Sequence, residues 1–205
     1  MVQQQRAEET RARIMQAGLE CFAQGGYDAT GVAEICKCAG VTKGGFYHHF
    51  TSKQALFLAL FEQWLTILDE QLAVFRAEAE NVPDGFREMA GMIGQVFEVA
   101  SGQLPMFLEF WSKAAHDADV WKEIIAPYRR YQTFFAQMIQ EGIDEGTLRA
   151  VVPEMAAQTL VSLAVGLLLQ GTLDPDGANW AQVTKESIDI YLEGIAKQNL
   201  KKPGF

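Results

Sequence analysis

The segment from Thr30 to Phe50 constrains the fold most, because two short apolar-patterned stretches flank the turn Ala39-Gly40-Val41-Thr42. Gly40 can adopt the left-handed conformation that ends a helix, and Thr42 is a good cap for the next helix. Two short helices joined by a tight glycine turn are the layout of a helix-turn-helix. The pattern therefore predicts this motif, with Val41 filling the small core beneath the turn.

The rest of the chain also has helical periodicity, punctuated by glycine and proline. The predicted helices span about residues 10–24, 32–39, 43–50, 53–79, 84–100, 105–115, 120–144, 153–173 and 180–197. We therefore expect an all-α protein of about nine helices, with a start or kink at Pro127. A three-helix domain that carries the helix-turn-helix is predicted at residues 1–52, followed by a larger helical domain at 53–205.

Charge is distributed unevenly along the 205 residues. The total net charge is −9, but residues 1–53 carry six basic and five acidic side chains, a net +1, so the remainder carries −10. An acidic body is a poor architectural DNA binder, because non-specific binding depends mainly on phosphate neutralisation. The N-terminal segment is thus the expected DNA-binding part.

Composition also bears on the cellular compartment. Three cysteines do not form a disulfide framework, and the polar N-terminus lacks the apolar core of a signal peptide. No run of about eighteen apolar residues is present, so a membrane span is not expected. A cytoplasmic protein is predicted.

The string GVTKGGFYHHFTSKQAL closely resembles the DNA-binding segment of the TetR family of transcriptional regulators. The matching residues are Phe22, Gly26, Tyr27, Thr30, Ile35, Ala39, Gly40, Val41, Lys43, Gly44, Phe46, Tyr47, Phe50, Lys53 and Leu56. The resemblance covers about residues 10–57, and it implies a ligand-responsive regulator, by family default a repressor. Gly45 departs from the Thr, Ser or Ala usual there, which suggests fewer base contacts.

The predicted DNA contacts centre on the second helix of the motif. Lys43 lies in its first turn, where side chains reach bases or phosphates, and two glycines allow close backbone approach. Lys53 is placed as a phosphate clamp. The full predicted set is Thr10, Arg11, Thr30, Thr42, Lys43, Gly44, Gly45, Tyr47, His48 and Lys53.

Two further patterns invite a metal or redox interpretation. His48 and His49 point about 100° apart on a helix, so a shared metal ion is disfavoured and no metal site is predicted. Cys36 and Cys38 likewise do not face each other. Small buried side chains are the favoured interpretation, and the sequence leaves open whether Cys21, Cys36 or Cys38 senses redox state.

Aromatic side chains are frequent in the larger predicted domain. Most should fill the core, but ligand pockets between helices use the same residue types. The resemblance implies an inducer pocket for an apolar or aromatic molecule, and no cofactor. The candidate ligand contacts are Phe107, Trp111, Tyr131 and Phe135, with Glu109 and His116 as polar contacts.

The final two predicted helices carry more apolar residues than one buried face requires. The resemblance implies that they form a four-helix dimer interface, so that two motifs about 34 Å apart read a palindromic operator on double-stranded DNA. An enzyme is the main alternative class. We find no HExxH metal-ligand spacing, phosphate loop or nucleophile elbow, which argues against it.

Overall fold

The structure is a computed structural model that describes residues 2–99, 112 and 114–197. Over these residues it contains eight α-helices and no strand, apart from an isolated bridge between Leu148 and Ala196. The helices are α1 Val2–Gly25, α2 Val32–Ala39, α3 Lys43–His49, α4 Lys53–Glu78, α5 Val82–Val99, α6 Ala118–Glu145, α7 Pro153–Leu173 and α8 Trp180–Ile195. The predicted all-α class is confirmed.

The chain divides into two compact units. Among the described residues, the first comprises 2–69, 112 and 114–124, and the second comprises 70–99 and 125–197. This division does not coincide with the boundary predicted at residue 52, because the first half of α4 packs with the first unit.

Aromatic and aliphatic side chains from α1 to α4 form the core of the first unit. Phe22, Ile35 and Phe46 are all at most 1% exposed, as predicted for the residues beneath the turn. The ring of Phe22 lies 5.8 Å from that of Phe57 on α4. These contacts hold the helix-turn-helix against α1 and α4.

The second unit is built around α5, α7, α8 and the later part of α6. Phe86, Met138 and Leu192 are among its buried side chains. Arg87 of α5 donates to Asp189 of α8 at 2.9 Å. Tyr191 donates its hydroxyl to the Ala156 carbonyl at 2.8 Å, which ties α8 to α7.

Helix starts are the main differences from the predicted bounds. α1 begins at Val2 rather than near residue 10, because its first turns are held by helix-favouring Gln, Glu, Arg and Ala without an apolar stripe. α5 begins at Val82, since Pro83 is tolerated in a first turn and Asn81 Oδ1 accepts from the Asp84 N–H at 3.0 Å. The helix predicted at 105–115 lies almost entirely outside the described residues.

One described helix is long and apolar enough to cross a membrane by length and composition. It is Pro153–Leu173, with 33% of the qualifying window buried. A single helix of this kind is weak evidence for a span, because core and interface helices have the same composition.

Candidate DNA-binding site

The turn between α2 and α3 has the predicted geometry. Gly40 is left-handed, with φ 63° and ψ 40°, a conformation that costs a residue with a side chain more than glycine. The Val41 N–H donates to the Cys36 carbonyl at 3.0 Å, which closes the end of α2. Thr42 Oγ1 then accepts from the Gly45 N–H at 3.0 Å and caps α3. The chain is thereby forced to restart as a helix at Lys43.

One face of α3 is anchored in the core and the other is open. Phe46 is fully buried, and its ring lies 5.9 Å from that of Phe50. Lys43 and His48 are exposed on the remaining surface, together with Tyr47, whose side chain is 53% exposed. A large aromatic side chain exposed beside a cation is more typical of a nucleic-acid-binding surface than of a surface that contacts only solvent.

The glycines of α3 are not required by the protein's own packing. A Cβ at Gly44 would lie 3.8 Å from Thr42 Oγ1, and one at Gly45 would lie 3.4 Å from the same atom. Both are ordinary contact distances, yet two adjacent glycines cost about 2 kcal/mol of helix propensity relative to alanine. Without Cβ atoms at these two positions, another molecule can approach the backbone of α3 closely.

Lys53 fastens α4 to the loop that precedes α2. Its Nζ donates to the carbonyl oxygens of Tyr27 at 2.6 Å and Thr30 at 2.8 Å, and it lies 4.4 Å from the centre of the Tyr27 ring. The sequence predicted a phosphate clamp at this position. The structure shows in addition an internal role that spacing along the chain did not reveal.

Thr30 is placed inside the protein. It is 2% exposed, and its hydroxyl donates to the carbonyls of Cys21 at 3.0 Å and Gly26 at 2.7 Å. Because the Thr30 hydroxyl is engaged in these internal hydrogen bonds, its placement gives no support to the predicted DNA contact.

The α1 candidates also make internal contacts. The Thr10 hydroxyl donates to the Arg6 carbonyl at 2.8 Å. The Arg11 guanidinium lies 5.1 Å from the centre of the Phe50 ring, at the end of α3. Arg13, which sequence reasoning assigned no role, donates to the Ala39 carbonyl at 3.5 Å, just before the turn. These cations lie along the part of α1 that borders the motif.

The histidine pair and the cysteines can now be placed. The rings of His48 and His49 lie edge to face, 5.2 Å apart. Burial lowers the pKa of His49, and His48 and Arg11 lower it further, which favours the neutral form of its ring. Among the described residues no group of three or more metal-ligating side chains occurs. Cys38 is exposed, which corrects the interpretation that Cys36 and Cys38 are both small buried side chains.

Only part of the predicted ligand-binding set can be located. Tyr131 and Phe135 are half-buried on α6, and the Phe135 ring lies 6.0 Å from that of buried Phe86. His116 is exposed. The other predicted contacts lie outside the described residues: Phe107, Glu109 and Trp111.

An open groove of about 690 Å³ runs between α6 and the start of α7. Most of its lining residues have polar side chains, and they include Arg129, Gln132, Gln137 and Glu154. Neither Tyr131 nor Phe135 lines it, so this groove is not the predicted apolar pocket.

Comparison with known proteins finds family matches in the N-terminal and the C-terminal part of the chain. Residues 14–60 match the family described as "Bacterial regulatory proteins, tetR family", and residues 89–197 match the family described as "BetI-type transcriptional repressor, C-terminal". The chain belongs to the TetR family. The predicted family and function are confirmed: this TetR-family protein is a DNA-binding transcriptional regulator.

One relative and two solved structures are similar to this chain over 80–93% of its length. The HTH-type transcriptional regulator UidR of Escherichia coli K12 is 26% identical over 166 residues, 80% of this chain and 83% of UidR. A transcriptional regulator from Saccharomonospora viridis, solved in complex with choline, has a TM-score of 0.78 at 18% identity, covering 93% of this chain and 100% of that one. FadR from Bacillus subtilis, in complex with stearoyl-CoA, has a TM-score of 0.76 at 18% identity, covering 90% and 98%.

Proposed function

We propose that this TetR-family protein is a cytoplasmic, homodimeric, non-enzymatic repressor that binds a palindromic operator through α3 and is released by a small molecule. The observation that carries the proposal is the two-faced recognition helix. Phe46 anchors α3 in the core, while Lys43, Gly44 and Tyr47 are exposed and Gly45 is half-buried. A helix held this firmly by one face can present the other to the major groove.

Individual roles follow from the chemistry of the exposed groups. Lys43 is proposed to reach base edges or a phosphate, and Tyr47 and His48 to donate to phosphates. Gly44 and Gly45 let the helix backbone come close to the DNA. Around the helix we propose supporting phosphate contacts from Thr10, Arg11, Thr42 and Lys53.

The division of labour is proposed to follow the sequence prediction, with DNA binding in residues 1–52 and ligand binding and dimerisation in 53–205. α4 begins four residues after α3 ends and contributes residues to both compact units. A ligand that shifts α4 would therefore change the position of α3. Such coupling requires the ligand to bind the two states with different affinity.

An exposed apolar face on α7 supports the proposed dimer. Met155 is 61% exposed, Leu169 41% and Leu173 74%, and Val165 lies between them at helical spacing. On α8, Ile190 is 71% exposed. A second copy of the chain would cover this face, as an isologous interface between two-fold-related subunits does. The same face accounts for the apolar composition of α7.

The proposed inducer is a small apolar or aromatic molecule. Half-buried Tyr131 and Phe135 support this, and Phe107, Trp111, Glu109 and His116 remain proposed contacts from the sequence. Two proteins of this fold are solved with choline and stearoyl-CoA, which are chemically dissimilar ligands. Similarity of fold therefore does not identify the ligand class, which depends on the residues that line the pocket of each protein.

The proposed function is tested by gel shift over a salt series, with a promoter duplex from the protein's own locus and random competitor DNA. A sequence-specific repressor keeps a preference for one duplex as salt rises, because base contacts do not release counterions. Lys43→Ala should weaken this preference. If binding is lost equally to all duplexes, the protein is a non-specific binder and the proposal fails.

A further inference from the structure

Two cysteines from different helices of the DNA-binding unit meet at its surface. The Sγ of Cys21 on α1 donates to the Sγ of Cys38 on α2, and the two sulfur atoms are 3.4 Å apart. Cys21 is 7% exposed and Cys38 is exposed. Their sequence separation of 17 residues hid this pair from sequence reasoning, which had compared Cys38 with Cys36.

We propose that Cys21 and Cys38 form an oxidation site at which a hydroperoxide closes a disulfide bond between α1 and α2 and weakens operator binding. The asymmetry of the pair assigns the roles. Exposed Cys38 is the thiol that peroxide reaches, and buried Cys21 is the resolving thiol already in contact with it. Cys36, two residues away on α2, is buried and serves as a built-in negative control.

The chemistry balances with hydrogen peroxide as the oxidant. The Cys38 thiolate attacks one peroxide oxygen, so that an S–O bond forms, the O–O bond breaks, and the released hydroxide takes a proton to become water. The Cys21 sulfur then attacks the sulfenic sulfur of Cys38, an S–S bond forms, and hydroxide leaves with the Cys21 proton as a second water. Two thiols lose two electrons and one peroxide gains them.

The surroundings of Cys21 keep it protonated until Cys38 reacts. Burial raises the pKa of the Cys21 thiol to about 12, followed by its hydrogen bond to Cys38 and the charges of Cys38, Glu34 and Glu20. The contributions from Cys38 end once that sulfur has been oxidised. Burial, the largest cause, persists after Cys38 is oxidised, so the Cys21 thiol gives up its proton as its sulfur attacks.

The position of the bond connects it to DNA binding. Disulfide formation brings the sulfur atoms from 3.4 Å to about 2.05 Å, a closure of more than an ångström. Cys38 lies two residues before left-handed Gly40, in the same turn of α2 whose Cys36 carbonyl accepts from Val41. Binding geometry is sensitive to displacements of about 0.5 Å, so a strained α2 terminus should misplace α3.

The test treats the reduced full-length protein with an equimolar amount of hydrogen peroxide. We expect wild type and Cys36→Ala to lose two free thiols and the mass of two hydrogen atoms, with a linked Cys21–Cys38 peptide. Cys38→Ser should form no link, and Cys21→Ala should retain a Cys38 sulfenic acid that dimedone traps. Protection of all three thiols, or a Cys36 linkage, would overturn the proposal.

The binding arm uses a labelled duplex selected from a random pool by the reduced protein. Oxidised wild type should bind it at least about fivefold more weakly, with recovery on reduction, while peroxide leaves Cys38→Ser unchanged. This readout rests on the proposed DNA-binding function, whereas the covalent readout does not. Failure of the reduced protein to select any duplex defeats the proposed function; a disulfide that leaves affinity unchanged defeats the regulatory inference.

Discussion

Lys53, for which we propose a phosphate contact, also has a role inside the first compact unit. Its ammonium group donates to the carbonyls of Tyr27 and Thr30, so it holds the loop that leads into α2. Hydrogen bonds to a charged group contribute about 1.5–3 kcal/mol when buried, and less where solvent competes. The proposed phosphate contact rests on its position at the start of α4, four residues after α3 ends.

Replacing Lys53 should therefore affect the protein without DNA. Lys53→Met is expected to lower the free energy of unfolding by about 1–2 kcal/mol in urea titrations, because two loop carbonyls lose their donor. Lys43→Met, at an exposed site on α3, is the matched control and should leave stability unchanged. An unaltered unfolding midpoint for Lys53→Met would contradict the internal role.

Lys53→Met also tests the proposed phosphate contact at Lys53. If the ammonium also contacts a phosphate, Lys53→Met should weaken binding to all duplexes alike and lower the slope of log affinity against log salt by about one. A loss confined to one operator base would contradict this contact.

Thr184 on α8 offers a second residue-level test. It is fully buried, and its hydroxyl has no hydrogen-bond partner among the described residues. Thr184→Val removes an unsatisfied polar group with little change of shape, so stability should rise by up to about 1 kcal/mol. Thr159→Val is the control, since that hydroxyl is exposed and donates to the Met155 carbonyl at 2.9 Å. A destabilised Thr184→Val would show that the hydroxyl has a partner in solution.

Residue-level prediction from sequence succeeded where the chemistry is local. The left-handed Gly40 and the capping Thr42 follow from rules that span three or four residues. The internal contacts of Thr30 and Lys53 were missed, because their partners are set by how a loop folds back on α1 and α4. The pairing of Cys21 with Cys38 was missed for the same reason.

At the level of elements, close packing of α1 against α4 shapes the DNA-binding unit. A Cβ at Gly18 would lie 2.6 Å from Leu56 Cδ2 and 3.3 Å from its Cγ. Leu56 is fully buried and has no free direction in which to move. The helices can approach this closely only because α1 carries glycine at the crossing.

Gly18→Ala should therefore destabilise the protein by about 1–3 kcal/mol, the usual cost of overpacking a core, despite the better helix propensity of alanine. Gly91→Ala on α5 is the matched control, since nothing lies within 4 Å of its Cβ position. That variant should be neutral or stabilised by up to about 1 kcal/mol. Thermal unfolding followed by circular dichroism measures both. Equal effects of the two variants would mean that the α1–α4 crossing is looser than described.

Helix bounds were predictable in proportion to the strength of their end signals. α2 and α7 have the predicted bounds because glycine or proline marks their ends. The extra turns of α1 were missed because a polar helix end carries no periodic signal.

In the whole molecule, the exposed apolar face of α7 is the surface through which we propose that two subunits assemble. The sequence indicated an excess of apolar residues on this helix, and the structure shows which remain exposed. Ala156, Leu160 and Leu167 are buried, whereas Met155 and Leu169 are not. Burial within the subunit depends on where α8 packs, which periodicity along one helix does not determine.

A charge placed on this face should separate the subunits. Leu169→Glu is expected to shift the protein from dimer to monomer in sedimentation velocity, since a carboxylate from each subunit would be buried in the interface. Val74→Glu on α4 is the control, because Val74 is 50% exposed outside the proposed interface. A dimeric Leu169→Glu variant, or an equally monomeric control, would contradict the interface.

A dimer that reads two half-sites through α3 should select a symmetric sequence from a random pool of duplexes. We expect a palindromic consensus with half-site centres about one helical turn, roughly 34 Å, or a multiple of it apart. The consensus should blur at the same position of both half-sites when Lys43 is replaced by alanine. An enriched site without two-fold symmetry, or no enrichment at all, would show that the protein does not read DNA as a symmetric dimer.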